Sequence, residues 1–371
     1  MSTRLVDLVQ LQIDDFLAKR APGILGIAPE LDVFLEYSSD LLRGGKRFRS
    51  LFCYWGWIAV QLHHDDFDPL HEAGSAPDLA SIVPVATGLE FFHAAALVHD
   101  DIMDNSDTRR GIAAAHKRFE SLHTVNGWTG EAAGFGLSGG LLLGDLLLGW
   151  SDELVDDGLG RLADHAAALA ARDEFNQMRT EVTVGQYLDI LEERSWRSKP
   201  DSEQLARAHR VIVHKAARYS VEAPLAIGAA MGGATREQLD SLRAFGLPLG
   251  IAFQLRDDLL GVFGDPEVTG KPAGDDLREG KRTVLIALAR ASLPGNARNT
   301  LDELLGDPDL DREQILMLQN TIRDSGAIEK VERMIGHNVG LARTALETAP
   351  IAHEARAQLG TLVETVTNRT A

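Results

Sequence analysis

The sequence predicts an all-α protein built as one domain. Alanine and leucine are abundant, and runs of alternating β-branched residues, which are typical of strands, are almost absent. Hydrophobic residues make up 44% of the 371 residues, enough for a sizeable core, and no repeat, low-complexity tract or domain linker interrupts the chain. One large helical domain can reach this length, although length alone does not exclude two.

Helical patterns follow one another along most of the chain. They cover 5–20, 50–62, 82–104, 139–154, 159–191, 202–231, 236–263, 282–292, 301–305, 312–325 and 328–366. The pattern at 82–104 is almost wholly apolar until it ends in acidic residues. Two polar segments that contain proline and glycine, 63–79 and 264–280, are predicted to be loops.

The charge balance excludes one class of function. The formal net charge is −18, and a nucleic-acid-binding protein needs a basic face for the phosphates. The single cysteine, Cys53, cannot form an intramolecular disulfide and suits a reducing compartment. The first twenty residues do not resemble a signal peptide, and charges or glycines break the longest apolar stretches. We therefore expect a soluble, cytoplasmic protein without a membrane span.

The first candidate site is the acidic cluster Asp100, Asp101 and Asp104. On a helix, Asp100 and Asp104 lie one turn apart and point the same way, with Asp101 on the flank. Carboxylates this close repel each other unless a cation lies between them, and oxygen-only ligands suit Mg²⁺ shared with a phosphate group. Arg109 and Arg110 follow shortly afterwards with two guanidinium groups suited to phosphate oxygens. The cluster therefore predicts a diphosphate site.

A second acidic pair, Asp257 and Asp258, follows an apolar helical pattern at 247–255. The glycine-rich segment after it carries Lys271 and Lys281. Two groups of carboxylates that face each other across a cavity would hold several Mg²⁺ ions around one diphosphate. The metals and lysines would then stabilise the negative charge that develops on a diphosphate leaving group.

A third candidate lies near the start of the chain. Lys46 and Arg49 are three residues apart, so both side chains can reach one anion from a helix start. His93 lies seven residues before Asp100, on the same helical face and about 10 Å away by helical rise. A basic patch is more often plain surface and a lone histidine is more often structural, so these residues gain weight only in combination.

In this order, the motifs resemble those of the trans-isoprenyl diphosphate synthases, the polyprenyl synthetase family, and most closely a geranylgeranyl diphosphate synthase. The resemblance extends from about residue 41 to residue 290. It comprises the GGKRFR segment at 44–49, the helix from His93 to the DDIMD acids, the RRG triplet at 109–111, the GQYLD segment at 185–189, and FQLRDDLLGVFGD with its TGKPAGDDLREGKRT loop. It implies a single-domain antiparallel helical bundle around a central apolar cavity, and a homodimer.

The resemblance also implies roles for individual residues. Those expected to bind isopentenyl diphosphate are Lys46, Arg49, His93 and Arg110. Those expected to hold the allylic diphosphate are Arg109, Lys215, Gln254, Lys271 and Lys281. The expected Mg²⁺ ligands are Asp100, Asp104 and Asp257, supported by Asp101 and Asp258, with about three ions per site as in the family. The implied reaction is metal-assisted ionisation, attack by the isopentenyl double bond on the allylic cation, and proton loss to the departing pyrophosphate.

Two positions depart from the family pattern. Many members have threonine after the central lysine, where this chain has Ala216 after Lys215. Many short-chain members have a third aspartate four residues after the first of the second motif, where this chain has Gly261. The second departure is expected to reduce the metal-binding capacity of Asp257 and Asp258.

The residues before Asp100 bear on the length of the product. Ala95 and Ala96 lie where large aromatic residues would make a shallow floor, so that depth is open. Phe92 lies about 12 Å below Asp100 by helical rise, with Phe91 beside it, and either is a candidate deeper floor. We expect a geranylgeranyl (C20) product, with farnesyl and longer polyprenyl products as the nearest alternatives. Phe92 would equally serve as ordinary core.

Two other functions compete with the synthase. A class I terpene cyclase also uses an acidic motif and three Mg²⁺ ions, but its second motif is not found here, and it has no need of Lys46, Arg49 and His93. A non-catalytic subunit of a synthase heterodimer typically loses one acidic motif, whereas this chain keeps both.

Overall fold

The computed structural model describes residues 2–65, 79–109, 111–264 and 274–367. Its α-helices are α1 Ser2–Ile27, α2 Asp32–Leu42, α3 Phe48–Asp65, α4 Ile82–Met103, α5 Ala115–Val125, α6 Ala132–Gly160, α7 His165–Ser195, α8 Gln204–Val211, α9 Ala223–Met231, α10 Arg236–Phe263, α11 Asp275–Glu279, α12 Val284–Ser292, α13 Gly295–Leu304, α14 Arg312–Asp324, α15 Ala327–Thr348 and α16 His353–Thr367. A π-helix, Ile212–Glu222, joins α8 to α9. The predicted all-α class is confirmed.

Strand pairing within the described ranges is confined to a small hairpin. Strand β1, Thr108–Arg109, pairs antiparallel with β2, Ile112–Ala113. Short 3₁₀ helices at Pro29–Leu31, Trp196–Ser198 and Asp201–Glu203 connect neighbouring helices.

Helix α4 lies at the centre of the larger apolar core. It is apolar around most of its circumference, which is typical of a helix enclosed by others. Leu89 and Phe91 are fully buried on it, and Phe91 makes edge-to-face contacts with Phe16 of α1 and Trp150 of α6. Residues of α3, α7 and α9 complete this core. The acidic end of α4 is thereby held on a rigid support.

A second apolar cluster is built on α10 and the helices that follow it. Leu255, Leu259 and Val262 of α10 pack there with residues of α12, α14 and α15. The buried face of α10 also contributes Leu242, Phe245 and Leu249 to the first cluster, so this helix connects the two. The single-domain organisation stays a prediction.

Several predicted helices are divided in the structure. The pattern at 159–191 is broken between α6 and α7, where the Asp164 side chain accepts hydrogen bonds from the backbone N–H groups of Ala166 and Ala167. The pattern at 202–231 becomes α8, the π-helix and α9, and the pattern at 328–366 is broken before Pro350. Helix α10 has the predicted bounds, 236–263, and the second acidic pair lies inside it, just after the apolar stretch at 247–255.

The structure describes only part of each predicted loop. The first predicted loop begins later than expected, because α3 continues to Asp65, and 66–78 lie outside the described residues. Most of the second, 265–273, also lies outside them. By length and composition alone, α4 and α6 are each apolar enough to cross a membrane; 78% of the most apolar window of α4 is buried in the protein, against 28% of that of α6.

Candidate active site

The first acidic cluster lies at the C-terminal end of α4. Asp100 and Asp101 occupy its last turn, and Asp104 caps it, with its backbone N–H bonded to the Asp100 carbonyl at 2.8 Å. The helix dipole places negative potential at this end, which disfavours three carboxylates. They persist because cationic side chains from other elements surround them.

The π-helix brings Lys215 to this cluster. A π-helix is rare and is often associated with functional sites, because its wider turn redirects side chains. Gly185 of α7 permits the close approach: a Cβ on it would lie 2.6 Å from the Lys215 backbone nitrogen. The Lys215 ammonium lies 3.1 Å from Asp100 Oδ1 and 2.6 Å from Asp189 Oδ2. Lys215 therefore bridges α4 and α7.

Asp100 is surrounded by donors. Besides Lys215, its carboxylate accepts hydrogen bonds from Gln186 Nε2 at 3.0 Å and from Arg109 Nη2 at 3.3 Å. Burial opposes ionisation, but the charges of Lys215, Arg109 and Lys281 outweigh it and hold the pKa of Asp100 well below its usual value. Asp100 is therefore a carboxylate at neutral pH.

Asp101 pairs with Arg109. The Arg109 Nε lies 2.8 Å from Asp101 Oδ1, and Asp101 is almost fully buried. Arg109 belongs to the hairpin, so this ion pair attaches β1 to the end of α4. Arg110, the other predicted arginine, lies outside the described residues.

Lys281 connects Asp104 to two acids of α7. Its ammonium lies 2.6 Å from Asp104, 3.2 Å from Asp189 and 2.9 Å from Glu193. Burial and the neighbouring Asp100 charge raise the pKa of Asp104 to about 6, whereas Lys215 and Lys281 keep the pKa of Asp189 lowered despite its burial. Four carboxylates and two ammonium groups thus share one buried centre.

Three residues of this centre were not predicted as site residues. Gln186, Asp189 and Glu193 lie on one face of α7, at spacings of three and four residues. Gln186 and Asp189 belong to the GQYLD segment that was recognised as a motif, and their common face was the signal that would have identified them. Glu193 lies outside the recognised motifs, so no sequence signal identified it.

The second acidic pair belongs to α10. Asp258 is buried and accepts a hydrogen bond from Gln254 Nε2 at 2.8 Å, and Asp257 beside it is half-buried. Burial, with the charges of Asp276, Asp257 and Asp189, raises the pKa of Asp258 well above its usual value. Asp189 shares the Lys215 ammonium group with Asp100, and its charge also contributes to the raised pKa of Asp258. Lys271 lies outside the described residues.

Gly261, the unusual glycine of the second motif, makes room for another carboxylate. A Cβ built on Gly261 would overlap the side-chain oxygens of Asp276, which belongs to α11. The position where many family members carry a third aspartate on α10 is therefore filled from outside that helix.

A separate basic group lies deeper along α4. Arg49 of α3 donates a hydrogen bond to Ser220 Oγ at 2.8 Å and packs over the Tyr219 ring at 4.3 Å. The Tyr219 hydroxyl lies 2.9 Å from His93 Nδ1. Burial raises the pKa of Tyr219 to about 12, so this hydroxyl stays protonated at neutral pH. The structure thus brings Arg49 and His93 together through Tyr219, a residue that sequence analysis did not single out.

Lys46 and Arg47, two basic residues close to Arg49, have opposite environments: Lys46 lies at the surface and Arg47 in the interior. Lys46 is exposed and lies 6.0 Å from the Phe48 ring centre. Arg47 turns inward in a left-handed backbone conformation and pairs with buried Glu90 at 3.2 Å. Arg47 therefore fixes the turn that presents Lys46 and Arg49.

The residues predicted to set product length line one side of α4. Ala95 is fully buried, Ala96 is half-buried, and Phe92 is 5% exposed. Phe92 makes edge-to-face contacts with Phe175 of α7 at 6.1 Å and with Tyr219 at 5.8 Å.

Two buried oxygen atoms indicate whether the carboxylates suit a divalent cation. Asp104 Oδ1 and Asp258 Oδ2 have no hydrogen-bond partner among the described residues, and a buried unpaired carboxylate oxygen is costly. Within the same ranges no three acidic, histidine or cysteine side chains are gathered around one point; the ammonium groups of Lys215 and Lys281 lie between the carboxylates instead. The oxygen donors fit Mg²⁺ if these ammonium groups release them.

Fold and site together define a class of protein: an all-helical bundle whose apolar interior ends in two acidic motifs and convergent basic side chains. The family model for polyprenyl synthetase matches residues 31–322. The chain therefore belongs to the polyprenyl synthetase family. The prediction of a trans-prenyltransferase is confirmed.

Individual relatives differ in the product that their names specify. The chain is 31% identical over 291 residues to the geranylfarnesyl diphosphate synthase of Aeropyrum pernix, covering 78% of this chain and 83% of the relative. It is 29% identical to the nonaprenyl diphosphate synthase of Mycobacterium tuberculosis, covering 95% and 94%. A solved structure of geranylgeranyl pyrophosphate synthase from Corynebacterium glutamicum, complexed with isoprenyl diphosphate and magnesium, is 37% identical with a TM-score of 0.89 and covers 99% of both chains.

Proposed function

We propose that this protein condenses isopentenyl diphosphate with an allylic diphosphate, head to tail, in a Mg²⁺-dependent reaction. The convergence of Lys215, Lys281 and Arg109 on the carboxylates at the end of α4 carries the proposal. A site that balances so many buried charges suits a ligand that is itself highly charged. The apolar residues along α4 suit a hydrocarbon tail.

The acidic motifs would hold the metal. We assign Asp100, Asp104 and Asp257 as the principal ligands, with Asp101 and Asp258 in support, and about three ions per site as in the family. When bound, Mg²⁺ would neutralise the negative charge that develops on the leaving diphosphate. The number of ions rests on the family resemblance.

The basic side chains would bind the allylic diphosphate. Lys215, Lys281 and Arg109 now neutralise carboxylates, and each would turn to diphosphate oxygens once the carboxylates gain another cation. Gln254, which donates to Asp258, and Lys271 would complete this set. Holding the leaving group this way lowers the cost of ionising the allylic carbon–oxygen bond.

Isopentenyl diphosphate would occupy the second basic group. Arg49 and His93 are already oriented by Tyr219 and Ser220, and Lys46 and Arg110 would add charge from the site's edge. The double bond would then attack the allylic cation. Among the described side chains none needs to act as a nucleophile, and the released pyrophosphate would accept the proton.

We propose a C20 product. The small side chains of Ala95 and Ala96 would leave the first part of the path open, and Phe92, which contacts two aromatic rings, would close it. The likeness to a geranylgeranyl pyrophosphate synthase supports this length. The relatives named for geranylfarnesyl and nonaprenyl products keep a longer product as the alternative.

We further propose a cytoplasmic homodimer. Helix α6 exposes four large apolar side chains: Phe135, Leu137, Leu141 and Leu142. Trp128 packs on Phe135 at 5.2 Å and extends this patch, and Val125 lies near it in sequence and is 82% exposed. A patch of this kind is typical of a protein interface, and a second copy of α6 would cover it. The cytoplasmic assignment rests on the lone, buried Cys53.

Product analysis tests the central proposal. The protein would be incubated with isopentenyl diphosphate and Mg²⁺ together with a C5, C10 or C15 allylic primer, and the products measured by mass. Extended prenyl diphosphates are expected. A cyclic hydrocarbon would indicate a terpene cyclase, and no turnover would indicate a non-catalytic subunit.

Two variants test the metal assignment. Asp100→Ala and Asp257→Ala should each abolish turnover, because each removes a principal ligand. Asp157→Ala, which removes the acidic partner of the exposed Asp157–Arg161 ion pair, serves as a control for the loss of a carboxylate. Near-normal rates in either motif variant would contradict the assignment.

A further inference from the structure

A charged cleft lies beside the aromatic residues that are proposed to close the hydrocarbon path. It encloses about 360 Å³, including the part open to solvent, between α7, the π-helix, α9 and α10. Its inner wall is apolar and includes Met178, Val182 and Tyr219. Tyr219 therefore faces the cleft and also contacts Phe92.

The cleft lies at the same depth as Phe92, the proposed end of the hydrocarbon path. Near the acidic centre, α7 meets α4 through Gln186 and Asp100. Further down, it meets α4 through Phe175 and Phe92, eleven residues earlier on α7 and eight earlier on α4. Both helices thus run down the same path for about 12–16 Å. We call Phe92, Phe175 and Tyr219 the aromatic floor.

Ion pairs span the cleft at this depth. Arg218 Nη1 lies 2.8 and 2.9 Å from the two carboxylate oxygens of Glu181. Arg243 pairs with Glu174, and Glu222 lies between the two arginines at 3.5 and 4.0 Å. We call these five residues the Glu–Arg seal. They link α7 to both the π-helix and α10 behind the floor.

We propose that the Glu–Arg seal is a second stop for chain elongation, which acts when the aromatic floor is passed. This inference rests on the proposed synthase function. A prenyl tail that passed the floor would have to displace or desolvate paired charges, and burying charged groups against hydrocarbon is strongly unfavourable. The aromatic floor limits the length of the product because its side chains occupy the space. The Glu–Arg seal limits it because its charges are unfavourable next to a hydrocarbon tail.

The experiment measures the longest product of four proteins: the wild type, Phe92→Ala, the seal variant Glu181→Leu/Arg218→Met, and the combination of all three changes. Both members of the Glu181–Arg218 pair are replaced, and Glu222, which loses Arg218, keeps its ion pair with Arg243. Phe92→Ala should lengthen the longest product by about one isoprene unit. The seal variant alone should match the wild type, because the floor is intact. The combination should exceed Phe92→Ala by at least one further unit.

A control variant tests whether the added length depends on the Glu–Arg seal and not on the loss of any ion pair. Asp157→Leu/Arg161→Met removes an exposed ion pair of α6 and, combined with Phe92→Ala, should add no length beyond Phe92→Ala. If Phe92→Ala fails to fold, Phe92→Leu replaces it throughout.

The outcomes separate the two proposals. A combination whose longest product equals that of Phe92→Ala would overturn the second stop, as would lengthening by the seal variant alone. A wild type that does not extend any primer would refute the synthase function itself.

Discussion

Lys281 contacts three carboxylates, and no single residue of the site has more ionic partners among the described side chains. Asp104, Asp189 and Glu193 all lie within 3.2 Å of its ammonium group. Its loss would leave several buried negative charges without compensation. The same lysine is the one expected to turn to the substrate diphosphate.

Lys281→Met is therefore expected to lower kcat/KM for the allylic diphosphate by about 10²–10³-fold, the usual cost of removing one group that stabilises developing charge. Steady-state kinetics with a fixed concentration of isopentenyl diphosphate would measure it. Lys330→Met, at a half-buried lysine of α15 whose ammonium group donates a hydrogen bond to Ser292 Oγ, is the control. A loss below threefold would show that Lys281 is not part of the diphosphate site.

Gly261→Ala tests whether the position of the Asp276 carboxylate, which occupies the space beside Gly261, matters for activity. The new methyl group would overlap the Asp276 side chain, which gives way more easily than helix backbone. We expect kcat/KM to fall about tenfold while the free energy of unfolding changes by less than about 1 kcal/mol. Gly149→Ala, on an open position inside α6, should leave kcat/KM unchanged and raise the free energy of unfolding by about 0.5–1 kcal/mol, the usual gain from replacing a glycine in a helix interior. Unaltered kinetics in Gly261→Ala would show that the position of Asp276 does not matter.

At the scale of elements, the π-helix does more than any other segment to assemble the site. Within eleven residues it presents Lys215 to the acidic centre, Tyr219 to the aromatic floor and Glu222 to the charged cleft. The sequence shows only a helical pattern here, because α- and π-helices differ in hydrogen bonding and not in residue type. Its wide turn was therefore not predictable from spacing.

Glu222 gives this element a pH signature. Burial raises its pKa above the ordinary value of 4.5, although Arg218 and Arg243 oppose the shift. The folded state therefore binds the Glu222 proton more tightly than the unfolded chain does. Its contribution to stability is largest below pH 4.5, falls as the pH rises to the folded-state pKa, and is constant above it.

Glu222→Gln should remove that contribution. We expect the difference in unfolding free energy between wild type and variant to change with pH only between 4.5 and the raised pKa, with the wild type losing stability relative to the variant as the pH rises. Urea unfolding at a series of pH values measures it. A difference that does not vary with pH would contradict the raised pKa.

At the scale of the whole molecule, the most informative surface is the apolar face of α6, which the folded monomer leaves exposed. Leu141 is 51% exposed and Leu142 is 56% exposed in the middle of this long helix. Side chains so placed are costly in water and stable when covered by a partner.

Leu141→Arg is therefore expected to dissociate the proposed homodimer into monomers. Sedimentation velocity at matched concentration would measure the change in mass. Leu316→Arg, at a similarly exposed leucine of α14, should leave the mass unchanged. A wild type that sediments as a monomer would refute the dimer, and a dimeric Leu141→Arg would place the interface elsewhere.

Much of the protein was predictable from local chemistry. The apolar pattern of α4 and the acids that end it are adjacent in the chain, and the helical period alone places Asp100 and Asp104 on one face. The same reasoning failed at Gln186, Asp189 and Glu193, because their partners are distant in the chain. Gln186 is 86 positions from Asp100, and Asp189 and Glu193 are 92 and 88 positions from Lys281. Helix ends were also missed where a cap such as Asp164 or a proline divided one pattern into two.

By itself, the sequence determined that the chain is helical, that acidic motifs follow its apolar segments, and that these motifs belong to a prenyltransferase family, because those properties depend on residues close together in the chain. Only the tertiary structure decided which cation meets which carboxylate, that Asp276 occupies the space left by Gly261, and that charged pairs lie behind the aromatic floor. Such contacts depend on how separate helices pack, and packing directions are not encoded in the spacing of any one helix.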